Sequence, residues 1–325
     1  MTTPLAPRLR TWARRTLWAL SGLGLALAAL TAVAPAHAQP NDPAGFFDEA
    51  GGGALTTLPA GVQRIADIPY GPDPLQRMDI YLPSTPRSSV EGPAPVLFMV
   101  HGGGWRRGDK AMSGVVQEKA ARWVPRGFVL ISVNYRLHPA VNVLQEAIDV
   151  AVALDTAQKQ AAQWGADPAK FILMGHSAGA HLVSFVNAHA ALLGRLGIAP
   201  WLGTVSLDSA LLNAPVVMSL PHYPFYDEVL GSDPAFWFAI SPYHAVTGVQ
   251  PPYQFVCSTS RPDRPCLQAQ GMAAHVQALG GRAEVLPQDL THGEINANLG
   301  LESDYTRAVE AFMGSLDPVV AQRLR

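Results

Sequence analysis

The sequence predicts an α/β fold with a mostly parallel, eight-stranded sheet that carries helices on both faces. Short apolar runs such as residues 96–100 and 171–174 are typical of strands that are buried on both faces. Segments with helical spacing of apolar residues separate these runs, and alternation of strands with helices favours parallel pairing. The length of 325 residues suits one large domain of this class.

The first 38 residues are expected to be a secretory signal peptide rather than part of the fold. Arginines between residues 8 and 15 precede an apolar stretch at 17–34, and an A-x-A cleavage pattern ends at Ala38. This predicts a periplasmic or secreted protein with no stable membrane association after cleavage. The alternatives are an uncleaved membrane anchor, because the apolar stretch is about long enough to span a bilayer, and twin-arginine export, which the flanking residues fit poorly.

Charge and composition narrow the expected partners. Removal of residues 1–38 takes away four arginines and no acidic residue, so the formal net charge changes from −2 to about −6. A surface of this charge without a basic run gives no reason to expect nucleic acid, and a small-molecule substrate is expected instead. Residues 39–62, rich in Gly, Pro and Ala, are expected to be a linker or N-terminal arm before a domain at 63–325. The oligomeric state stays open.

The elements are expected in a regular order with one interruption. Two antiparallel edge strands are expected at 64–69 and 77–82. The further strands are expected at 96–100, 128–133, 171–174, 202–207, 253–258 and 283–286, and the helices at 117–124, 144–164, 178–193, 267–279 and 305–313. Residues 209–250, rich in proline and aromatic residues, predict a cap-like excursion over the sheet, whose apolar residues either line a pocket or pack in the core.

Ser177 is the expected nucleophile. It lies in Gly175-His176-Ser177-Ala178-Gly179, which matches the G-x-S-x-G pattern between a predicted strand and a predicted helix. A serine at such a sharp turn has a strained backbone, and glycines two residues away on either side avoid clashes with neighbouring elements. The alternative is a chance match of a short pattern, and the strand–helix context argues against it.

A serine hydroxyl needs a base, and His292 is the expected one. It follows the last predicted strand in a loop, from which it could reach back across the strand ends. The acid that orients this base is expected in the loop after the preceding strand, where Asp263 lies. Asp208, at the end of an earlier strand, and Asp289 are competing candidates.

Donors for a tetrahedral oxyanion are expected where a buried strand ends in a histidine and three glycines, residues 101–104. Glycines let the backbone approach a substrate, so the N–H groups of Gly103, Gly104 and Ala178 are predicted to form an oxyanion hole. The alternative is a plain glycine turn. The presence of a G-x-S-x-G pattern further along the chain argues against it.

Two cysteines, Cys257 and Cys266, are nine positions apart. In an oxidising compartment they could form a disulfide bond that holds the loop with Asp263, and the alternative is a pair of buried thiols. A C-x8-C pair alone is not a metal site. No metal and no cofactor is expected for a reaction at a serine nucleophile.

Several motifs are found together in this chain: His101-Gly-Gly-Gly-Trp105, Asn134-Tyr-Arg-Leu137, Gly165-Ala-Asp-Pro168, Gly175-His-Ser-Ala-Gly-Ala-His181 and Ser241-Pro242. Together they resemble the α/β-hydrolase superfamily, and within it the esterase/lipase group with its BD-FAE-like and hormone-sensitive-lipase-like carboxylesterases. Tyr70-Gly71 and residues 78–83 are similar to the opening strands of the BD-FAE-like enzymes.

The resemblance covers roughly residues 64–315 and implies an α/β-hydrolase fold and a serine carboxylesterase that forms an acyl-enzyme intermediate. One departure lies in the acid loop, which reads Arg-Pro-Asp-Arg-Pro at 261–265 instead of a small, glycine-led segment. An arylformamidase or amidase-type hydrolase would use the same constellation and is kept as an alternative. A non-catalytic binding protein of this fold usually lacks a triad member, whereas candidates for all three are present here.

Overall fold

The structure, a computed structural model, describes residues 53–85 and 92–325, so the expected signal peptide lies outside the described residues. Within those ranges eight strands form one sheet in the order β1-β2-β4-β3-β5-β6-β7-β8. β2 pairs antiparallel with β1 and with β4, and all the other neighbouring strands pair parallel. The strands are β1 (Val62–Pro69), β2 (Arg77–Pro83), β3 (Ala94–Val100), β4 (Val129–Val133), β5 (Ala166–His176), β6 (Gly203–Leu207), β7 (Tyr253–Ser258) and β8 (Ala283–Gln288). The predicted fold class is confirmed.

Helices cover both faces of this sheet. In chain order the described α-helices are α1 (Ser113–Trp123), α2 (Val143–Gln160), α3 (Ala178–Ala188), α4 (Ala190–Arg195), α5 (Ala214–Met218), α6 (Pro224–Leu230), α7 (Pro234–Ala239), α8 (Pro242–Ala245), α9 (Pro265–Ala278), α10 (His292–Ala297), α11 (Asp304–Leu316) and α12 (Pro318–Arg323). Buried residues of α2 and α3 share one core cluster, and those of α1, α10 and α11 share another. None of the helices in the described ranges is both long and apolar enough to cross a membrane.

Strand β3 shows why its sequence is an unbroken apolar run. Phe98 and Val100 pack into the cluster that contains α2 and α3, whereas Leu97 and Met99 pack into the cluster that contains α1 and α11. Successive side chains of a strand point to opposite faces, so a strand covered on both faces needs apolar residues at every position. The whole of β3 is buried.

Two predicted helices end differently from the expectation. The segment 144–164 is helical, but its last four residues form a 3-10 turn (Ala161–Trp164) that Gly165 ends in the left-handed region at φ +67°. The single helix expected at 178–193 is divided into α3 and α4 at His189. There the ring Nδ1 of His189 bonds to the carbonyl oxygen of Phe185, while the backbone N–H of His189 bonds to Val186. The side chain thereby competes for a carbonyl that an uninterrupted helix would use.

The described part of the expected N-terminal arm lies against the loop before α1. Ala54 forms a bridge with Met112, and the backbone N–H of Leu55 donates to Ala111 O at 2.8 Å. Residues 39–52 of the expected arm lie outside the described residues.

Residues 209–250, where an excursion is expected, lie between β6 and β7 and contain the short helices α5 to α8. Each of these helices has proline in its first turn, where the missing N–H costs no intrahelical hydrogen bond. This accounts for the proline content of the stretch. Phe225 and Tyr226 of α6 are buried in the core cluster that contains α3.

Candidate active site

The carboxyl ends of the parallel strands form the candidate site. In an open parallel sheet this edge is where ligands bind, because loops from several strands meet there. The residues that follow strands β3, β5, β6, β7 and β8 at this edge include His101, Ser177, Asp208, Arg261 and His292.

Ser177 lies at the turn between β5 and α3 with φ +55°, a left-handed conformation that is uncommon outside glycine. Its backbone N–H donates to Leu207 O at 2.9 Å, which holds the turn against β6. A Cβ on Gly175 would lie 2.3 Å from Gly179 O, and a Cβ on Gly179 would lie 2.2 Å from Val100 O. The strained turn and the need for both glycines are therefore as predicted.

His292 is buried, and its Nδ1 lies 2.6 Å from Asp208 Oδ2. The expectation that His292 lies in a loop is wrong, because it is the first residue of α10. Thr291 caps this helix, accepting from the Glu294 N–H at 3.3 Å, while the Glu294 carboxylate accepts from the Thr291 N–H at 2.8 Å. The capping box provides the local reason for a helix of only six residues.

The expectation that Asp263 orients His292 is corrected by the structure. The Asp263 carboxylate accepts from Nε and Nη2 of Arg261 at 2.9 and 2.5 Å, and Asp208 takes the place beside His292. Arg261 lies between the two acids, because its Nη1 donates to Asp208 Oδ2 at 2.7 Å. Asp289, the third candidate, is exposed and accepts from the Ser260 hydroxyl.

The backbone conformation at Asp208 orients its carboxylate toward His292. It follows β6 with φ +60°, and its N–H donates to Val256 O at 2.8 Å. Its second carboxylate oxygen, Oδ1, accepts from the Ser258 N–H at 2.7 Å. Both oxygens are thus held, and the plane of the carboxylate is set by neighbouring strands.

Opposing effects act on the pKa values of this pair. Burial favours the neutral form of Asp208, but the Arg261 guanidinium and the hydrogen bond to His292 outweigh it, so the pKa of Asp208 is lowered. Burial and then the charge of Arg261 lower the pKa of His292, while the Asp208 carboxylate acts in the opposite direction. Asp208 is therefore ionised and His292 neutral at neutral pH.

His176 supports His292 from the other side. Its Nε2 lies 2.9 Å from the carbonyl oxygen of His292, and the two ring centroids are 4.4 Å apart. Burial holds the pKa of His176 well below its usual range, so the ring is neutral and Nε2–H is the donor. This bond ties the start of α10 to the end of β5.

The glycine loop at 102–104 lies against Ser177. A Cβ on Gly102 would be 2.9 Å from Ser177 Cβ, and a Cβ on Gly103, which has φ +119°, would be 2.0 Å from Arg107 O. Gly104, with φ +61°, lines a cavity together with Ser177 and Ala178. The structure thus brings Gly104 and Ala178 to the cavity at Ser177, whereas Gly103 lies against Arg107.

The cavity at Ser177 is small, with an empty volume of about 250 Å³. Its apolar wall is formed by Trp105 from the glycine loop and by Leu211, Phe225 and Tyr226 from the excursion. Trp105 packs on both α6 residues, with ring centroids 6.4 Å from Phe225 and 5.9 Å from Tyr226. The excursion therefore lines this cavity and also contributes to the core.

A larger cavity, with an empty volume of about 1160 Å³, lies at the opposite edge of the sheet. It is lined by residues such as Pro83, Pro93, Gly165 and Arg323. Ser177, Asp208 and His292 are not among its lining residues. In the described ranges no group of three or more His, Cys, Asp or Glu side chains is arranged to hold a metal ion.

Cys257 and Cys266 form a disulfide bond with a Cα–Cα distance of 5.1 Å. The bond joins the end of β7 to the first turn of α9 and encloses the loop that holds Arg261 and Asp263. The disulfide expected as one of two outcomes is therefore present.

Arg261 and His176 belong to the site although neither was predicted from the sequence. A signal for Arg261 was present in the unusual Arg-Pro-Asp-Arg-Pro loop, since an arginine two residues from a candidate acid can pair with it. His176 had no comparable signal, because the position before the serine in G-x-S-x-G admits many residue types.

Comparisons with known proteins agree with this architecture. The BD-FAE family profile matches residues 78–193. The probable isoprenylcysteine alpha-carbonyl methylesterase ICME of Oryza sativa subsp. japonica is 30% identical over 122 residues, which cover 38% of this chain and 28% of that protein. Esterase LipQ of Mycobacterium tuberculosis is 27% identical over 231 residues, covering 66% of this chain and 53% of LipQ. The chain thus spans between about a quarter and about half of the length of these curated relatives.

Among solved structures, esterase B from Lactobacillus Rhamnosis superposes with a TM-score of 0.65 at 20% sequence identity, covering 82% of this chain and 89% of esterase B. At this identity the likeness is one of fold. Together with the profile and sequence matches, it shows that the chain has an α/β-hydrolase fold and is similar to proteins of the esterase/lipase group.

Proposed function

We propose that this protein is a serine carboxylesterase in which Ser177 is the nucleophile, His292 the base and Asp208 the acid. The observation that carries the proposal is the buried His292–Asp208 pair beside the strained Ser177 turn. Ser177 and Asp208 also line the same cavity. A nucleophile, a base and a residue that orients the base are the parts that acyl transfer needs.

The tautomer of His292 follows from its partner. Asp208 is ionised and can only accept, so the 2.6 Å contact requires the proton to be on Nδ1 of His292. Nε2 then carries the lone pair and is the atom that takes a proton from the Ser177 hydroxyl. The geometry thus selects the tautomer in which the imidazole is competent as a base.

In the first half-reaction Ser177 Oγ attacks the ester carbonyl carbon while its proton passes to His292 Nε2. The carbonyl oxygen becomes an oxyanion that the N–H groups of Gly103, Gly104 and Ala178 stabilise. Asp208 stabilises the imidazolium that forms. Collapse of the intermediate breaks the ester C–O bond, and His292 returns the proton to the leaving alcohol.

In the second half-reaction water replaces the alcohol. His292 Nε2 takes a proton from the water, the resulting hydroxide attacks the acyl-enzyme carbonyl carbon, and the Ser177 C–O bond breaks with return of the proton to Oγ. The products are a carboxylic acid and the free enzyme. His292 Nε2 accepts and returns the proton in every transfer of this scheme.

The dimensions of the cavity favour esters of short acyl chains. The space there that a water-sized sphere can enter is only about 10 Å³, well below the roughly 300 Å³ at which pockets for drug-sized ligands begin. Aromatic side chains of α6 close it on one side. An exported location is also proposed, supported by the disulfide bond and the N-terminal sequence pattern.

The test is hydrolysis of p-nitrophenyl acetate by the purified full chain. Wild type should hydrolyse the ester, and kcat of Ser177→Ala should be about 10⁵–10⁶-fold lower. Ser219 is exposed, and Ser219→Ala should behave as wild type. A series of acetyl, butyryl, octanoyl and feruloyl esters would define the acyl preference. Absence of hydrolysis by wild type, or full activity of Ser177→Ala, would overturn the proposal, and a preference for N-formylkynurenine over all esters would favour a formamidase.

A further inference from the structure

Arg261 is a buried cation with no place in the reaction scheme above, yet it touches both acids of the region. Its Nη1 donates to Asp208 Oδ2 at 2.7 Å and to Asp208 O at 2.9 Å. Its Nε and Nη2 donate to the two carboxylate oxygens of Asp263. The side chain is only 6% exposed. Such a planar guanidinium fixed by two carboxylates has little freedom to reorient.

Arg261 Nη1 also lies 2.9 Å from His292 Nδ1. This contact is not a hydrogen bond, because the two hydrogens of Nη1 are directed at two oxygens of Asp208 and Nδ1 carries its own hydrogen. His292 and Arg261 are instead two donors that share Asp208 Oδ2 as acceptor. The guanidinium charge is therefore held next to the imidazole without bonding to it.

This arrangement has opposite effects on geometry and on charge. The bonds from Arg261 and from the Ser258 N–H hold Asp208 in the position from which it orients His292. The positive charge of Arg261, however, disfavours a second positive charge on His292 and competes for the same carboxylate oxygen. In accord with this, the pKa of His292 is lowered by burial and by Arg261.

Other charged and titratable groups surround the pair, and they act from several elements. Asp263 lies on the β7–α9 loop, His176 at the end of β5 and Lys119 on α1. Tyr223 and Tyr226 belong to the excursion, Tyr305 to α11 and Glu294 to α10. The tyrosines and His176 are neutral near pH 7, since burial raises the pKa of the former and lowers that of the latter. Arg261, in contrast to Lys119, is a cation that hydrogen-bonds directly to Asp208.

We propose that Arg261 is a positioning residue for the reaction at Ser177: it locks Asp208 onto His292 and sets the lowest pH at which His292 works as a base. The role rests on the proposed function. In this arrangement Asp263, the acid expected from the sequence to orient His292, instead anchors Arg261. The disulfide bond holds the loop on which both residues lie.

The test combines two readouts in wild type, Arg261→Gln, Arg261→Lys and Asp263→Asn. The first is the pH profile of kcat/KM with p-nitrophenyl acetate, whose acidic limb reports the ionisation of the free enzyme's base. The second is the NMR titration of the His292 ring, assigned by comparison with His292→Gln. The second readout does not depend on turnover.

Arg261→Gln removes the charge, so the acidic limb and the His292 titration should both move to higher pH by about one unit. The plateau of kcat/KM should fall at least about 10-fold, because Asp208 loses a fixed partner. Arg261→Lys keeps the positive charge but lacks the planar guanidinium. Its acidic limb should therefore stay near that of wild type, and its plateau of kcat/KM should lie between those of Arg261→Gln and wild type. Asp263→Asn removes a negative charge near His292, and its limb should move in the opposite direction.

A lowered plateau with an unmoved limb and an unmoved His292 titration in Arg261→Gln would reduce Arg261 to a structural residue and overturn the inference. If Arg261→Gln fails to fold, Arg261→Lys and Asp263→Asn provide the test. The inference would be overturned if, in both variants, the acidic limb and the plateau of kcat/KM were the same as in wild type. A wild type that hydrolyses no ester would overturn the proposed function. The NMR titration would then still decide whether Arg261 sets the ionisation of His292.

Discussion

His292 and Asp208 are joined by a 2.6 Å contact between Nδ1 and Oδ2, although 84 positions separate them in the chain. The contact brings the end of β6 to the start of α10 at the carboxyl edge of the sheet. Asp263, only 29 positions from His292, is bound to Arg261 instead. The acid partner of His292 therefore comes from the loop after β6 and not from the loop after β7.

Replacement of Asp208 should affect catalysis far more than replacement of Asp263. In Asp208→Asn the side chain can donate to Nδ1, which favours the wrong tautomer of His292, and kcat on p-nitrophenyl acetate should fall about 10³–10⁴-fold. Asp263→Asn keeps the His292–Asp208 contact and should lose about 10-fold or less. Steady-state kinetics of the two variants provide the comparison, and a larger loss in Asp263→Asn than in Asp208→Asn would refute the assignment.

The difference between these two acids shows which parts of the site could be predicted from sequence. The Ser177 turn is local, because a few consecutive residues between a strand and a helix specify it, and the apolar runs predict the strands equally well. The choice of acid depends on the left-handed backbone of Asp208 and on the placement of Arg261 between two carboxylates. Neither is encoded in a short pattern, so a rule based on strand order selected Asp263.

The position of His292 could be predicted in part. Its place after the last strand follows from the order of elements, whereas the helix α10 was missed because six residues give too short a periodic pattern. Thr291 followed three residues later by Glu294 is a capping-box signature and could have predicted this helix start.

Loss of the disulfide bond should lower both stability and activity. In the chain-entropy description, closing a loop of nine positions stabilises the fold by about 2.5 kcal/mol. A variant with Cys257→Ala and Cys266→Ala should therefore melt about 5–10 °C lower than wild type. Its kcat/KM should also fall, because the loop enclosed by the bond carries Arg261.

Thermal melts and ester hydrolysis with and without a reducing agent give the matched measurement. The double alanine variant serves as control, since reductant should change wild type and leave the variant unaffected. Equal melting temperatures of oxidised wild type and of the variant would contradict a stabilising role of the bond.

Glu146 should destabilise the protein increasingly as the pH rises. It is fully buried in α2, and burial raises the pKa of Glu146 from 4.5 to about 9. Between these two pH values the unfolded chain releases a proton that the folded chain retains. The free energy of unfolding therefore falls as the pH rises from about 4.5 to about 9.

Glu146→Gln removes this titration and should raise the melting temperature at pH 8, with little change at pH 4.5. Unfolding followed by circular dichroism at the two pH values measures the difference. The exposed Glu228→Gln is the control, and it should stay within about 0.5 kcal/mol of wild type. A shift of equal size at both pH values would show that packing, and not the ionisation of Glu146, is responsible.

Shortening Phe225 should extend the range of acyl chains that the site accepts. Phe225 lines the cavity at Ser177 and packs on Trp105, so Phe225→Ala opens space next to Ser177, where the acyl group would lie in the proposed reaction. A large-to-small change of this kind costs about 3–5 kcal/mol of stability, which is why the readout is a ratio within one preparation. The ratio of kcat/KM for octanoyl over acetyl ester should rise at least about 10-fold, since each buried methylene contributes about 0.8 kcal/mol.

Phe238→Ala is the matched control for this change. Phe238 belongs to α7 of the same excursion, but it is exposed and does not line the cavity. Its replacement should leave the octanoyl-to-acetyl ratio within about twofold of wild type. If both variants changed the ratio equally, the excursion would act on substrate choice through its overall mobility. If only Phe225→Ala changes it, the wall that Phe225 forms with Trp105 limits the acyl chain, and this α6 side chain determines specificity.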